Sequence, residues 1–144
     1  MATGFLLPEL DGEDSGEFWA GTARGELLVQ RCGSCDTPRF PPRPMCPVCR
    51  SLVHTWEPMS GRATIWSYVV PHPPLLPAYS PLAPYNVIVV ALDEDPTIRM
   101  VGNLLAATAG EINEIDPATI VIGEPVQVVY QQVDDVMMPR WIRA

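Results

Sequence analysis

The chain has 144 residues and a formal net charge of −8, with 47% hydrophobic and only 18% charged residues. That length is one domain, or one domain with a small module, and it is enough to bury a core. The acidic balance argues against a sequence-independent nucleic-acid binder, which needs surplus Lys and Arg to release counterions, and 17 prolines exclude a mostly helical chain.

Residues 1–13 read as a loose arm. Asp14-Ser15-Gly16-Glu17 is a helix start, with Asp14 and Glu17 at capping-box spacing. Phe18, Trp19, Thr22 and Ala23 form one apolar stripe, and the helix ends near Arg24-Gly25. The stripe must cover either its own domain or a partner. Leu27-Leu28-Val29 then leads as a strand into Cys32. Residues 71–84 hold six prolines and read as a long, semi-rigid, extended loop. Strands are expected at 63–70, 86–92, 97–105, 126–132 and 137–143. The strongly β-branched run 86–92 should be central, 86–105 a hairpin, and Gly102 a bulge or bend. Five strands after the cysteines fit a five-stranded Greek-key barrel of the OB type. The aromatics Trp56, Trp66, Tyr68 and Tyr85 should be core or barrel-lining.

The chemistry lies in Cys32-Gly-Ser-Cys35 and Cys46-Pro-Val-Cys49. Two C-x₂-C pairs ten residues apart form two knuckles whose four thiolates complete a tetrahedron around one Zn²⁺. Four protein ligands leave no open position, so the zinc is structural. A redox C-x-x-C is disfavoured because two pairs coincide without a βαβ pattern, and S₄ geometry alone also admits iron. Asp36 and Arg50 stand after the second cysteine of each knuckle, where positive φ commonly calls for glycine. No segment reaches the roughly 18 apolar residues of a membrane span, and the start MATGFLLPELDGED lacks a signal peptide's basic region. Four cysteines without a secretory signal point to a reducing, cytoplasmic setting.

No catalytic set emerges. His54, just after the second knuckle, is a surface group or a neighbour of the metal ligands, and His72 sits in the proline loop with no carboxylate near it in sequence. The acidic runs Asp93-Glu94-Asp95 and Asp134-Asp135 read as solvated turns. The charge is uneven. Residues 32–62 carry four Arg against two acids, whereas residues 63–144 carry nine acids against three Arg.

The order of elements is specific. A helix bearing Phe18-Trp19 is followed by Cys32 and Cys35, Arg39-Phe40-Pro41-Pro42-Arg43, then Cys46-Pro47-Val48-Cys49. Ser60-Gly61-Arg62-Ala63-Thr64, Ile122-Gly123-Glu124-Pro125 and Pro139-Arg140-Trp141 come later. Over residues 14–143 this resembles the family that joins a rubredoxin-like zinc ribbon to an OB-fold and is found beside thiolase-like and acyl-CoA enzymes. The resemblance implies a mainly β chain: an N-terminal arm and helix at 1–31, a zinc ribbon at 32–53 and an OB-fold domain at 54–144. It also implies a non-catalytic subunit of a hetero-oligomer, whose partner is a thiolase-like enzyme, a steroid side-chain aldolase or a MaoC-type hydratase. Coenzyme A phosphates would seek cations, so Arg39 and Arg43, with Phe40 and His72, are candidate contacts to CoA or to the partner. The competing possibility is that these arginines offset the negative zinc–thiolate centre. A zinc-ribbon/OB module for single-stranded nucleic acid is the alternative from another class, and the acidic barrel segment counts against it.

Overall fold

The computed structural model describes residues 4–144. Among the described residues one α-helix, α1 (Gly16–Ala23), precedes nine strands. These are β1 (Leu27–Cys32), β2 (Pro38–Arg39), β3 (His54–Met59), β4 (Arg62–Val69), β5 (Val87–Leu92), β6 (Arg99–Gly102), β7 (Leu104–Leu105), β8 (Pro125–Val133) and β9 (Val136–Arg143). They form a three-stranded sheet of order β2-β1-β3 and a six-stranded sheet of order β6-β5-β4-β8-β9-β7.

The larger sheet closes on itself. β4, β5 and β6 form an antiparallel meander, β4 also pairs antiparallel with β8, and β7 runs parallel to β9. Because β6 and β7 are halves of one run, the ring closes through residues 99–105, which is OB-barrel topology. The strand expected at 97–105 thus divides at Asn103. Gly102 stands at the division, where an added Cβ would lie 2.9 Å from the Trp141 indole. Asn86 secures the same corner. It is fully buried, its Nδ2 donates to the Leu104 carbonyl at 2.9 Å, and its Oδ1 accepts from the Leu104 N–H at 2.7 Å. One side chain thereby replaces a missing rung of backbone pairing.

β3 has no counterpart among the strands expected from the sequence. Its sequence HTWEPM alternates weakly and contains Pro58, which a strand tolerates only at a sheet edge. β3 is such an edge, paired residue for residue with β1 from Leu27↔Met59 to Cys32↔His54. Residues 54–59 therefore share a sheet with the segment leading into the first knuckle.

The helix begins one residue later than a capping box at Asp14 requires. Ser15 is the N-cap, without a side-chain cap hydrogen bond, and Glu17 supplies the acidic charge that suits the first turn. The helix ends at Arg24 and Gly25, the latter at φ 77°. Phe18, Gly21 and Thr22 are buried, and α1 packs on β1 and β9, so the helix covers its own chain. Phe18, Leu27 and Val29 join Ile65, Ile88, Val90, Leu104, Val126 and Trp141 in one core spanning helix, small sheet and barrel. Burying each such side chain contributes about 1.5–3 kcal/mol.

Two expectations change. Trp66 is not core; it follows buried Ile65 on the opposite face of β4, half exposed, with the Arg99 guanidinium 3.9 Å from its ring centroid. The proline loop contains a 3₁₀ turn at Ser80–Leu82, and Leu75, Tyr79 and Leu82 pack with Tyr85, Leu105 and Ile112 in a second small core. Phe5 of the arm stacks on Tyr79, ring centroids 4.7 Å apart. No helix is long and apolar enough to cross a membrane among the described residues.

Candidate metal centre

The two knuckles have matching backbone geometry. The Cys32 N–H donates to the Thr37 carbonyl at 2.9 Å, and the Cys46 N–H to the Ser51 carbonyl at 2.9 Å. Each turn closes through a second bond, Asp36 N–H to the Cys32 carbonyl at 3.1 Å and Arg50 N–H to the Cys46 carbonyl at 3.0 Å. Asp36 and Arg50 both adopt left-handed φ, 64° and 65°. An L-residue there costs roughly 1–2 kcal/mol, which the paired turn bonds and the ligand cluster offset.

The turns aim the sulfurs at one point. The Sγ atoms of Cys32, Cys35, Cys46 and Cys49 all lie within 4.8 Å of one another. Cys32 is 3.5 Å from Cys49, and Cys35 is 3.6 Å from Cys46. A tetrahedral ion with metal–sulfur bonds of about 2.3 Å needs sulfur separations of about 3.8 Å. The cluster is therefore the right size for one zinc, and all four cysteines are free of disulfides.

Its electrostatics agree with its size. The Cys35 and Ser34 N–H groups hold the Cys32 thiol down to about 6. The Cys49 N–H, with that of Val48, lowers Cys46. Cys49 runs the other way: the Ser51 N–H favours its thiolate, but the neighbouring sulfurs and burial push it up to about 11. Four thiolates this close repel one another, and a dication removes that repulsion. The backbone N–H groups aimed at sulfur, Ser34 to Cys32 at 3.4 Å and Val48 to Cys46 at 3.4 Å, stabilise the anionic ligands that zinc takes.

The arginines divide. Arg39 is buried; its Nε donates to Gln30 Oε1 at 2.8 Å and its Nη2 to the Arg43 carbonyl at 2.8 Å. Gln30 Oε1 also accepts the Arg43 N–H at 2.8 Å. Arg39 is thus a strut holding the 39–43 turn on β1, and its guanidinium is not presented to a phosphate. Phe40 is likewise drawn inward, half-buried against Phe18 with ring centroids 5.3 Å apart. Arg43 and His72 are exposed. His54 is half-buried, edge-on to Trp56, and its Nδ1 has no hydrogen-bond partner among the described residues.

Sequence reasoning missed Gln30, a polar residue inside an apolar strand whose partners come from a separate loop. It also missed Glu57, which accepts from Arg31 Nε at 2.5 Å across β1 and β3. A pairing of those strands was the only signal that could have found it.

Comparison with known proteins places these parts. Residues 19–55 match the family model for the ChsH2 rubredoxin-like zinc ribbon domain, and residues 56–131 that for the ChsH2 C-terminal OB-fold domain. A probable enoyl-CoA hydratase alpha subunit of Thermomonospora curvata is 36% identical over 81% of this chain and 33% of its own length. The 3-oxo-4,17-pregnadiene-20-carboxyl-CoA hydratase alpha subunit of Mycobacterium tuberculosis is 33% identical over 94% of this chain and 40% of its own. The chain therefore spans two-fifths or less of the length of these relatives. Among solved structures, a chain of the Ltp2-ChsH2(DUF35) aldolase superposes with a TM-score of 0.78 at 31% identity, over 94% of this chain and 98% of that one. The chain belongs to the ChsH2/DUF35 family of zinc-ribbon and OB-fold proteins.

Proposed function

We propose that this chain is a non-catalytic accessory subunit of an acyl-CoA enzyme, and that its partner is a thiolase-like subunit performing retro-aldol or thiolytic carbon–carbon cleavage, with a steroid side-chain CoA thioester as a candidate substrate. The observation that carries the reading is the near end-to-end match, over 98% of its length, to a chain of an aldolase whose name joins ChsH2(DUF35) to Ltp2. The site chemistry supports it. The four sulfurs close on one another and form a structural centre with no open coordination position. The two histidines stand on separate elements, His54 in β3 and His72 in the proline loop. The zinc would be held by Cys32, Cys35, Cys46 and Cys49 and would fix the ribbon's shape, while the barrel and loop stabilise the partner and shape its substrate channel. Exposed Arg43 and His72 are the contacts proposed for CoA or the partner; Arg39 and Phe40 act behind them by holding the turn. Four cysteines used as metal ligands rather than in disulfides suit a cytoplasmic setting.

The names of the two hydratase alpha subunits favour a second reading, in which the partner is a MaoC-type enoyl-CoA hydratase. Reconstitution separates the two. Purified thiolase-like and hydratase candidates are assayed with and without this chain, and cleavage by the thiolase-like protein should need it. Full cleavage activity from that protein alone overturns the first reading, and hydration dependent on this chain supports the second.

A further inference from the structure

Arg140 stands apart from the site described above. It lies on β9, is 7% exposed, and forms no ion pair among the described residues. Its Nε donates to Gln131 Oε1 at 3.2 Å and its Nη1 to Asn103 Oδ1. Both acceptors are neutral amides. Of the five N–H donors of a guanidinium, two are used, and Nη2 makes no hydrogen bond among the described residues. A buried cation held only by neutral acceptors is unfavourable unless an anion joins it.

Arg140 lines a cavity of about 290 Å³ between the N-terminal arm, the proline loop and the β8–β9 hairpin. Its walls include Phe5, Tyr79, Tyr85 and Val101, and none of the described residues lining it is acidic. The Phe5 and Tyr79 rings lie nearly parallel, at 13°, and Tyr79 and Tyr85 centroids are 6.2 Å apart. An apolar cavity of about 150 Å³ admits benzene, so this one has room for a ring and a polar head. The loops between the first two and the last two strands of an OB barrel are also where such barrels bind ligands.

From this we infer a binding site for a small, flat organic carboxylate, with its carboxylate on the free N–H groups of Arg140 and its apolar body against the Phe5, Tyr79 and Tyr85 rings. Charge selects the head, because Arg140 is the one charged side chain among the described residues that line the cavity. Flatness and apolarity of the walls select the body. The inference concerns this chain alone and does not depend on the identity of its partner.

The test is an NMR titration of the full-length, zinc-loaded chain with benzoate, with benzamide as the neutral isostere and acetate as the ring-free acid. Benzoate should give saturable shifts at the Tyr85, Val101 and Asn103 amides with Kd of about 1 mM or tighter, and benzamide and acetate should each bind about tenfold or more weaker. Arg140→Gln should weaken benzoate by about tenfold, and Phe5→Ala, in the arm and outside the barrel, should weaken it several-fold while leaving the barrel spectrum intact. Equal binding of benzoate and benzamide, benzoate binding unaffected by Phe5→Ala, or no saturable shift overturns the inference.

Discussion

Arg39 and Arg43 lie four residues apart in one proline-rich turn, yet their side chains have opposite environments, and replacing each by alanine separates structural from surface roles. Arg39→Ala removes two hydrogen bonds with a charged donor, to Gln30 Oε1 and to the Arg43 carbonyl. Bonds to charged groups contribute about 1.5–3 kcal/mol each. Against that stands the desolvation of a buried guanidinium whose Nη1 has no partner among the described residues, about 1–3 kcal/mol. The net loss expected is about 2 kcal/mol, which for a chain of this size lowers Tm by roughly 6 °C. Arg43→Ala removes an exposed side chain and leaves the backbone N–H and carbonyl bonded, so its expected change is within about 0.5 kcal/mol. Urea denaturation of both variants, with Gln30→Ala to complete a double-mutant cycle with Arg39, measures the strut directly. The cycle should give a coupling of about 1 kcal/mol or more. Arg39→Ala within about 0.5 kcal/mol of the parent, or no coupling to Gln30, refutes the strut.

Three further outcomes are expected. Elemental analysis should find about one zinc per chain, and Cys46→Ala should lose it, with a lower Tm in both the variant and the chelated parent; iron, or no metal, contradicts the closed four-cysteine centre. Asn86→Ala strands the Leu104 N–H and carbonyl inside the barrel, so chemical denaturation should show a loss of about 2–4 kcal/mol. Partial burial raises the Glu94 carboxyl, but the Ser60 N–H at 2.6 Å and hydroxyl at 3.0 Å outweigh it and hold Glu94 below its ordinary 4.5. The folded-state value is lowered, so this contribution is present above pH 4.5 and is lost as pH falls through the lower folded value. The stability difference between the parent and Glu94→Gln should accordingly shrink in acid, and a difference that stays constant contradicts the contact.

Legibility followed the range of the interactions. The knuckles were readable because their chemistry is local: two residues separate each cysteine pair, and the turns close within four residues. The barrel strands were readable from β-branched runs such as Val87–Leu92, which tertiary packing only confirms. β3 was hidden because an edge strand with Pro58 has little pattern of its own and exists by pairing with β1. The division of the third barrel strand was half visible, at Gly102, but the Asn86 side chain that stabilises it comes from 18 residues away. Burial of Arg39 could not be read from a turn rich in Pro and Arg, since its partner Gln30 looks like an ordinary polar residue in a strand. Arg140 stands in an ordinary Pro-Arg-Trp triplet in the sequence; its environment arises where β9, the arm and the proline loop converge.

In the proposed role this chain works as a subunit of a larger enzyme. Its most direct test is co-expression with the thiolase-like protein, capture through a tag on that protein alone, and light scattering of the eluted material. A stable complex of defined stoichiometry that retains zinc is the expected result. Elution of the thiolase-like protein without this chain, while the chain runs folded and zinc-loaded as a separate species, would contradict it.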